Sequence, residues 1–455
     1  MCTKSGAFWH AEKPKVFRAQ SKKILFIILD GVADLPVKKL GGLTPLEAAK
    51  TPALDKIAEK SQLGIMRVID NNLPPETDTA VLSMFGYNPL IWSRGRGPLE
   101  AKGIGFGFKE GKDLVLRCNF ASQQSGKITD TEAQRIESGY AKKLAQDIRK
   151  NVKLKDATFD FVHDLNYRAL LVLRSKRKLS ENISSTHPGY ERKKYEKAIM
   201  ELPKALSGNM KTERCKPMDN SESARFSASL VNDFIMKAER ILKNHKINIE
   251  RKKKGLNEAN AILTRGAGTA LPKLGKIKGK WLCIADTPAE KGIAKLLGMK
   301  TPDLPEPLTD RLLNADGEIE KAVKADMKIR LRMLAGNADN YDSFYLHFKG
   351  ADPFGHRNMP EQKRFIIESM DRHFFKPLSR KINLDDFLVC VTSDHTTACE
   401  LRTHTADPVP VLIRAAEKFC APGCGDGMKF CEKNCGKGSL GIFRAGELMG
   451  KLLGK

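Results

Sequence analysis

The stretch TSDHTTACELRTHTADPVPVLI, residues 392–413, follows the apolar run FLVCV and carries Asp394, His395 and His404. An apolar strand ending on Asp-His places two metal-ligand side chains at its carboxyl end. That edge of an open α/β sheet is where ligands bind. Two other apolar runs end the same way. KKILFIIL leads into Asp30, and FYLHFK leads through Gly350 and Ala351 into Asp352 and His356. The chain has nine histidines, and three of them fall in these motifs, so the clustering is selective. Three strand ends carrying Asp or His predict one metal centre assembled from distant parts of a single sheet.

The composition narrows the classes. With 455 residues the chain exceeds what one hydrophobic core ordinarily organises, so two domains are expected. Hydrophobic residues at 41% and charged residues at 29% fit a soluble globular protein. No apolar run approaches the ~18–20 residues needed to cross a bilayer. The first residues, MCTKSGAFWHAEKPKVFRAQ, lack the apolar stretch of a secretory signal and read as a disordered tail. A cytoplasmic protein is expected. The net charge of +25 invites a nucleic-acid reading. Its distribution argues against one, because the runs RSKRK, ERKK and RKKK lie far apart and are not interleaved with aromatics. Neither nucleic acid nor membrane is expected as a partner, and a basic surface that attracts anionic small molecules is.

Ten cysteines without a secretion signal predict reduced thiols. Cys420, Cys424, Cys431 and Cys435 crowd near the end, but their C-x3-C-x6-C-x3-C spacing departs from zinc-ribbon pairs. Free thiols in a Gly-rich loop are the expectation there.

Along the chain, KKILFIIL reads as a buried strand. Thr44-Pro-Leu-Glu47 supplies a capping Thr, a Pro at the first helical position and a Glu at the third, the signature of a helix start. The helix runs on toward Gly64, with Thr51-Pro52 as a break, and GIMRVI returns as a strand. The Gly-rich stretch SRGRGPLEAKGIGFGF (93–108) reads as a loop packed near the site. From about 116 to 262 the alternating strands LVLRCNFAS and YRALLVLRS flank helices and lysine-rich runs, and this stretch reads as an insertion. ANAILTRGAG (259–268) and KWLCIADT (280–287) then resume the strand–helix rhythm. The expected architecture is α/β, a mostly parallel sheet flanked by helices, with an inserted α+β domain. Its divisions are a tail over 1–21, core over 22–115, insertion over 116–262 and core again over 263–455.

Carboxylate and imidazole ligands without thiolate suit manganese, zinc, cobalt or iron better than calcium. Six such ligands exceed the need of one tetrahedral ion. Two ions about 4 Å apart would use them all and could clamp the attacking and leaving oxygens of a phosphoryl transfer. For a nucleophile, NNLPPETDTAVLSMFGYNP (71–89) offers Thr77 and Thr79 where a loop turns into an apolar helix. A hydroxyl there sits among free amides that would bind a phosphate. Either residue also suits a plain N-cap, and local sequence leaves both readings open.

Taken together, LDGVADLP, LGGLTPLEAAKTPALDKIA, PPETDTAVLSMFGYNP, SRGRGPLEAKGIGF, NAILTRGAG, DPFGH and SDHTT…HTADPVPVLI resemble cofactor-independent (2,3-bisphosphoglycerate-independent) phosphoglycerate mutase of the archaeal type. That group belongs to the alkaline phosphatase superfamily. The resemblance runs in order from residue 22 to 455. It implies an alkaline-phosphatase-like core, an inserted substrate lid, and two divalent ions, manganese first with zinc, cobalt or magnesium as alternatives. It implies one ion on Asp352, His356 and His404 and the other on Asp30, Asp394 and His395. Thr77 stands where the family usually has a serine nucleophile. Arg168 and Arg265 fall at family-like substrate positions, with Asp130, Arg135 and Lys291 as further matches, and Asp130 and Lys291 as candidates for proton transfer. ISSTHPGY (183–190) departs from an ISDTDPH-type pattern, with Ser185 and His187 in place of aspartates. The implied activity is interconversion of 3- and 2-phosphoglycerate through a phosphothreonine. The alternatives are a metal-dependent phosphatase or phosphotransferase on another small metabolite, and a non-catalytic phospho-ligand-binding homologue.

Overall fold

Lys23–Leu29 (β1) is apolar at nearly every position, and all but its first residue are buried. Such a strand has no solvent-facing side and belongs in the middle of a sheet covered on both faces. The computed structural model describes residues 23–70, 72–195, 198–206, 210–305, 319–415 and 425–453. The expected tail over 1–21, together with Cys420 and Cys424, lies outside these residues. Among the described residues sixteen strands follow in chain order: β1, β2 (Gln62–Arg67), β3 (Leu114–Gln124), β4 (Lys127–Asp130), β5 (Thr158–His163), β6 (Arg168–Arg174), β7 (Tyr190–Tyr195) and β8 (Ala198–Pro203). Next come β9 (Ala261–Gly268), β10 (Trp281–Ile284), β11 (Ser343–Phe348), β12 (Phe387–Thr392), β13 (Thr396–Ala398), β14 (Thr403–Thr405), β15 (Val409–Arg414) and β16 (Gly441–Arg444).

A seven-stranded sheet runs β10-β11-β1-β12-β15-β2-β16. β1 pairs in parallel with both β11 and β12, and only β15 runs against its neighbours. The register sets Ile28 of β1 beside His347 and Thr392, so the three strands end level with one another. Alternate β1 side chains feed two cores. Ile24, Phe26 and Ile28 join Tyr345, Phe85 and Cys390 on one face. Leu25, Ile27 and Leu29 join Phe344, Leu346, Val389 and Val391 on the other. The helix start at Thr44 is as the sequence predicts. The Thr44 hydroxyl accepts from the Glu47 amide at 3.0 Å, the Glu47 carboxylate accepts from the Thr44 amide at 2.9 Å, and a new helix, Pro52–Glu59, begins after the Thr51-Pro52 break. Among the described residues no helix is long and apolar enough to cross a membrane.

A second sheet is built from β4-β3-β6-β5, with β9 beside β3. Its own core lies under the helices Ser138–Asn151 and Glu222–Lys243. Two expectations fail here. Residues 259–268 do not resume the main sheet: β9 pairs antiparallel with β3, from Ala121↔Ala261 to Val115↔Gly268. Strand patterning reports a strand but not the sheet that takes it. The Gly-rich stretch is also not a loop, since Arg96–Ile104 is a helix. Its glycines serve close approach rather than turning. A Cβ on Gly97 would stand 2.4 Å from the Val115 carbonyl oxygen, and one on Gly103 would stand 1.9 Å from that of Pro288. This helix packs backbone to backbone between the second sheet and the helix Pro288–Leu296 of the main fold.

The last described segment closes back on the start of the chain. Glu432 opens the short helix Glu432–Cys435; Cys431, which precedes it, and Cys435, which ends it, are free thiols. Its carboxyl group accepts from the Thr44 hydroxyl at 2.7 Å and the Asp34 amide at 3.1 Å. Burial pushes this group up to about 7, outweighing both hydrogen bonds. A carboxyl raised in the folded state favours folding while protonated, and that contribution falls away as pH rises from the unfolded value toward 7. Replacing Glu432 by Gln should therefore remove a fall in stability between about pH 4.5 and 7. It should also raise stability at pH 8 by about 3 kcal/mol. Thermal unfolding at pH 5 and pH 8 checks this, and an unchanged pH dependence in the variant would contradict it.

Candidate metal centre

The level strand ends gather the chemistry. β1 runs into Asp30 and Gly31, β11 into Lys349 and then Asp352, and β12 into Ser393, Asp394 and His395. Beyond β12 the small β13–β14 ladder sets Thr397 opposite His404. Gly31 has a left-handed φ of 57°, and its amide donates to Asp394 Oδ1 at 3.0 Å. A Cβ there would stand 2.8 Å from the Asp352 Cβ and 2.5 Å from Thr397 Oγ1, so only glycine lets these loops meet.

The imidazoles share one orientation. His404 Nδ1 lies 2.8 Å from the Pro75 carbonyl, and His356 Nδ1 lies 3.1 Å from the Arg402 carbonyl. A carbonyl oxygen can only accept, so each Nδ1 carries the proton and leaves an Nε2 lone pair facing inward. Those two Nε2 atoms stand 3.1 Å apart, at 3.2 and 3.3 Å from Asp352 Oδ1. Two lone pairs and a carboxylate converging in this way need a cation between them. Without a cation the Asp352 carboxylate would raise the His356 imidazole to about 9 against the effect of burial and put a second proton on Nε2, the proton that a bound ion displaces. His395 Nδ1 lies 2.9 Å from Thr397 Oγ1, and that hydroxyl donates to Asp352 at 2.8 Å. Its Nε2 lies 3.3 Å from Asp30 Oδ1 and 3.1 Å from Asp394 Oδ2.

Two ligand clusters result. Asp352, His395 and His404 offer atoms within 4.8 Å of one another, and so do Asp30, His347 and Asp394. All six sequence-predicted ligands thus come together, with His356 bonded into the first cluster. The division between clusters differs from the expected one. His395, whose ring stacks on His404 at 3.6 Å, reaches both, and His347 enters where no motif pointed. The donor set fits divalent cations on its own terms. Asp30 Oδ1, Asp394 Oδ2, His347 Nε2 and His395 Nε2 are buried with no hydrogen-bond partner, a cost that metal coordination removes. Lys349 was also missed. Its ammonium bonds Asp30 at 2.9 Å and Glu290 at 2.8 Å. The available signal was polar residues at alternate positions 347 and 349 at the end of an otherwise apolar strand.

Asp30, Lys349, Asp352, His356 and His404 line a cavity of about 670 Å³ with Thr77 at its wall, while His347, Asp394 and His395 are fully buried. The helix Thr77–Met84 separates the two candidate hydroxyls. Thr79 Oγ1 donates to the Glu76 carbonyl at 2.9 Å and accepts from the Glu76 amide at 3.0 Å, so Thr79 serves the cap. Thr77, the first helical residue, faces the cavity. Pro75, just before it, holds His404. Of the predicted substrate residues, Arg168, Arg265, Asp130 and Arg135 line the cavity, and Lys291 does not. Arg265 Nη1 lies 3.3 Å from both Glu76 and Glu201, with its guanidinium over the Tyr190 ring. Arg168 stacks on Tyr167, and Arg135 bonds Glu132 at 2.9 Å. The Asp130 oxygens accept from the Glu132 and Gln134 amides at 2.8 and 2.6 Å, which fixes a turn. Beneath the cavity, buried Glu100 bridges Arg96 and Arg117 at 2.8 and 2.7 Å, a support that sequence reading did not find. In the departing loop, Ser185 donates to the Thr264 carbonyl at 3.0 Å. His187, held well below the usual imidazole range by burial and by Arg265, is neutral and lines the cavity.

Comparison with known proteins gives the family. A family model for 2,3-bisphosphoglycerate-independent phosphoglycerate mutase matches residues 58–248. A mutase of that name from Methanosphaera stadtmanae is 39% identical over 400 residues, 87% of this chain and 89% of the relative. Another, from Pyrococcus horikoshii, is 34% identical over 438 residues, 94% of this chain and 95% of the relative. A solved structure of a Pyrococcus horikoshii protein aligns over 95% of this chain and 97% of its own, with 29% identity and a TM-score of 0.69. A cofactor-independent phosphoglycerate mutase from Thermoplasma acidophilum aligns over 95% and 99%, with 28% identity and a TM-score of 0.54. With relatives of this identity matched over nearly nine-tenths of its length, the chain belongs to the 2,3-bisphosphoglycerate-independent phosphoglycerate mutase family.

Proposed function

We propose that the chain is an isomerase that interconverts 3-phosphoglycerate and 2-phosphoglycerate, passing the phosphate through Thr77 in the cytoplasm. One observation carries the reading. A helix-terminal hydroxyl, buried arginines and the candidate ligands Asp30, Asp352, His356 and His404 line one cavity, with Asp394 and His395 buried next to Asp30. Asp352, His356 and His404 would hold one divalent ion, Asp30 and Asp394 the other, with His395 at their boundary and manganese the expected metal. Bound there, the ions would neutralise charge on the transferring phosphoryl group and favour ionisation of the attacking hydroxyl.

The chain's own groups do the rest. Arg265 turns its guanidinium from Glu76 and Glu201 to the phosphate oxygens. Arg168 and Arg135 take the substrate carboxylate, where planar cations match planar anions. Thr77 Oγ forms a bond to phosphorus as the bond to the 3-oxygen breaks, and that oxygen leaves with a proton as glycerate. Glycerate turns and attacks with its 2-hydroxyl, restoring Thr77. Residues 116–262 form the lid that keeps water from intercepting the phosphothreonine. Proton transfer falls to the cavity wall rather than to Asp130, whose oxygens hold a turn, or Lys291, which lies outside. Lys349 is the cation placed to help.

The test is phosphorus NMR of the manganese-loaded protein with 3-phosphoglycerate. The expected result is 2-phosphoglycerate rising to equilibrium. Inorganic phosphate as the sole product would replace this reading with a phosphatase, and no turnover would favour a binding homologue. Arg265→Lys keeps the charge but loses the fork. We expect kcat/KM to fall roughly 10²-fold, as for loss of one aimed donor. Unaltered kinetics would remove Arg265 from phosphate binding.

A further inference from the structure

We propose that His347 is a ligand of the second ion, binding through Nε2 beside Asp30 and Asp394. The inference rests on the two-ion reading above and goes beyond its expected ligand set. His347 is the fifth residue of β11 and has no solvent exposure. Its Nδ1 lies 2.9 Å from the Tyr345 hydroxyl, and its Nε2 lies 3.6 Å from Asp394 Oδ2 with no hydrogen-bond partner. Arg330 donates to the His347 carbonyl at 3.2 Å and fixes the strand end that aims the ring.

The surroundings decide between a ligand and a bystander. If Nε2 carried the proton, it would face Asp394 beyond hydrogen-bonding distance and remain unsatisfied. With the proton on Nδ1, donated to the Tyr345 oxygen, Nε2 turns a lone pair toward two buried carboxylates. That arrangement is repulsive unless a cation stands among them. Lys349 does not fill the role, because it bonds Asp30 through Oδ2 and turns its remaining contact to Glu290. Gly31 satisfies Asp394 through Oδ1. The atoms left over are Asp30 Oδ1, Asp394 Oδ2 and His347 Nε2, joined by His395 Nε2. Two oxygens and two nitrogens favour zinc, cobalt or manganese over magnesium or calcium. His347 would therefore set which metals this position accepts.

Cobalt-loaded protein provides the test. Each imidazole bound to paramagnetic cobalt gives a strongly shifted exchangeable N–H resonance. The wild-type protein should show one more than His356, His395 and His404 account for, with a through-space contact to the Tyr345 ring. His347→Gln should lose that resonance and bind the second cobalt at least about 10–100-fold more weakly. Tyr345→Phe should keep it, shifted, with cobalt affinity lowered by about tenfold. Two bound cobalt ions with no resonance near Tyr345 in the wild-type protein would overturn the assignment and leave the two-ion reading standing. Failure to bind a second cobalt at all would overturn both. The wild-type measurement stands even where the Gln variant does not fold.

Discussion

Replacing Thr77 by alanine is expected to lower kcat for phosphoglycerate interconversion by roughly 10⁴–10⁶-fold, the scale of losing a nucleophile. The fold should hardly notice. The helix it begins is capped by Glu76 and Thr79, not by Thr77. Alanine is also at least as favourable as threonine in a helix. Unfolding free energy should stay within about 0.5 kcal/mol of the parent. Thr77→Ser should remain active, because it keeps the oxygen and removes only a methyl group. A rate assay beside thermal unfolding separates chemistry from stability. Retention of a tenth or more of the activity by the alanine variant would rule out a phosphothreonine. So would failure to find phosphate on a Thr77 peptide in rapidly quenched enzyme.

Stripping divalent ions with a chelator should reduce turnover by ~10³-fold or more, the several kcal/mol that metal stabilisation of a phosphoryl transition state supplies. Here stability should move too. Asp30, Asp352 and Asp394 are largely buried close together, and Asp30 Oδ1 and Asp394 Oδ2 have no other partner. Restoring manganese at about a hundred times its dissociation constant should add about 2.7 kcal/mol to unfolding. That corresponds to a rise in Tm of about 3 °C. Calorimetry of stripped and reloaded protein reads this directly. Equal melting temperatures would mean that these carboxylates are not a metal site, whatever the assay shows.

The candidate ligands were legible because they terminate strands. Asp30, Asp352 and Asp394-His395 follow runs whose apolarity announces them, and parallel pairing brings their ends level. His347 and Lys349 were not legible, because their meaning depends on the β1 and β12 neighbours that make them face Asp394 and Asp30. Lys291 matched a motif, yet the wall of the cavity is set by tertiary packing, and it is Lys349 that lines it. β9 was recognised as a strand and given to the wrong sheet. Its pairing with β3 spans some 140 residues of sequence, a distance over which local patterning carries no information.

The helix Arg96–Ile104 misled for a related reason, since its glycines were read as turn formers. Gly95, Gly97, Gly103 and, across from it, Gly292 each bring a backbone carbonyl to within 2.4 Å or less of where a side chain would begin. No small residue offers a graded alternative, for even a methyl group collides with main chain that cannot step aside. The seam between the two sheets is therefore closed to gradual mutational drift. Over evolutionary time the halves can diverge in loops and surfaces, but they can be re-paired with other partners only by exchanging both sides of the seam together.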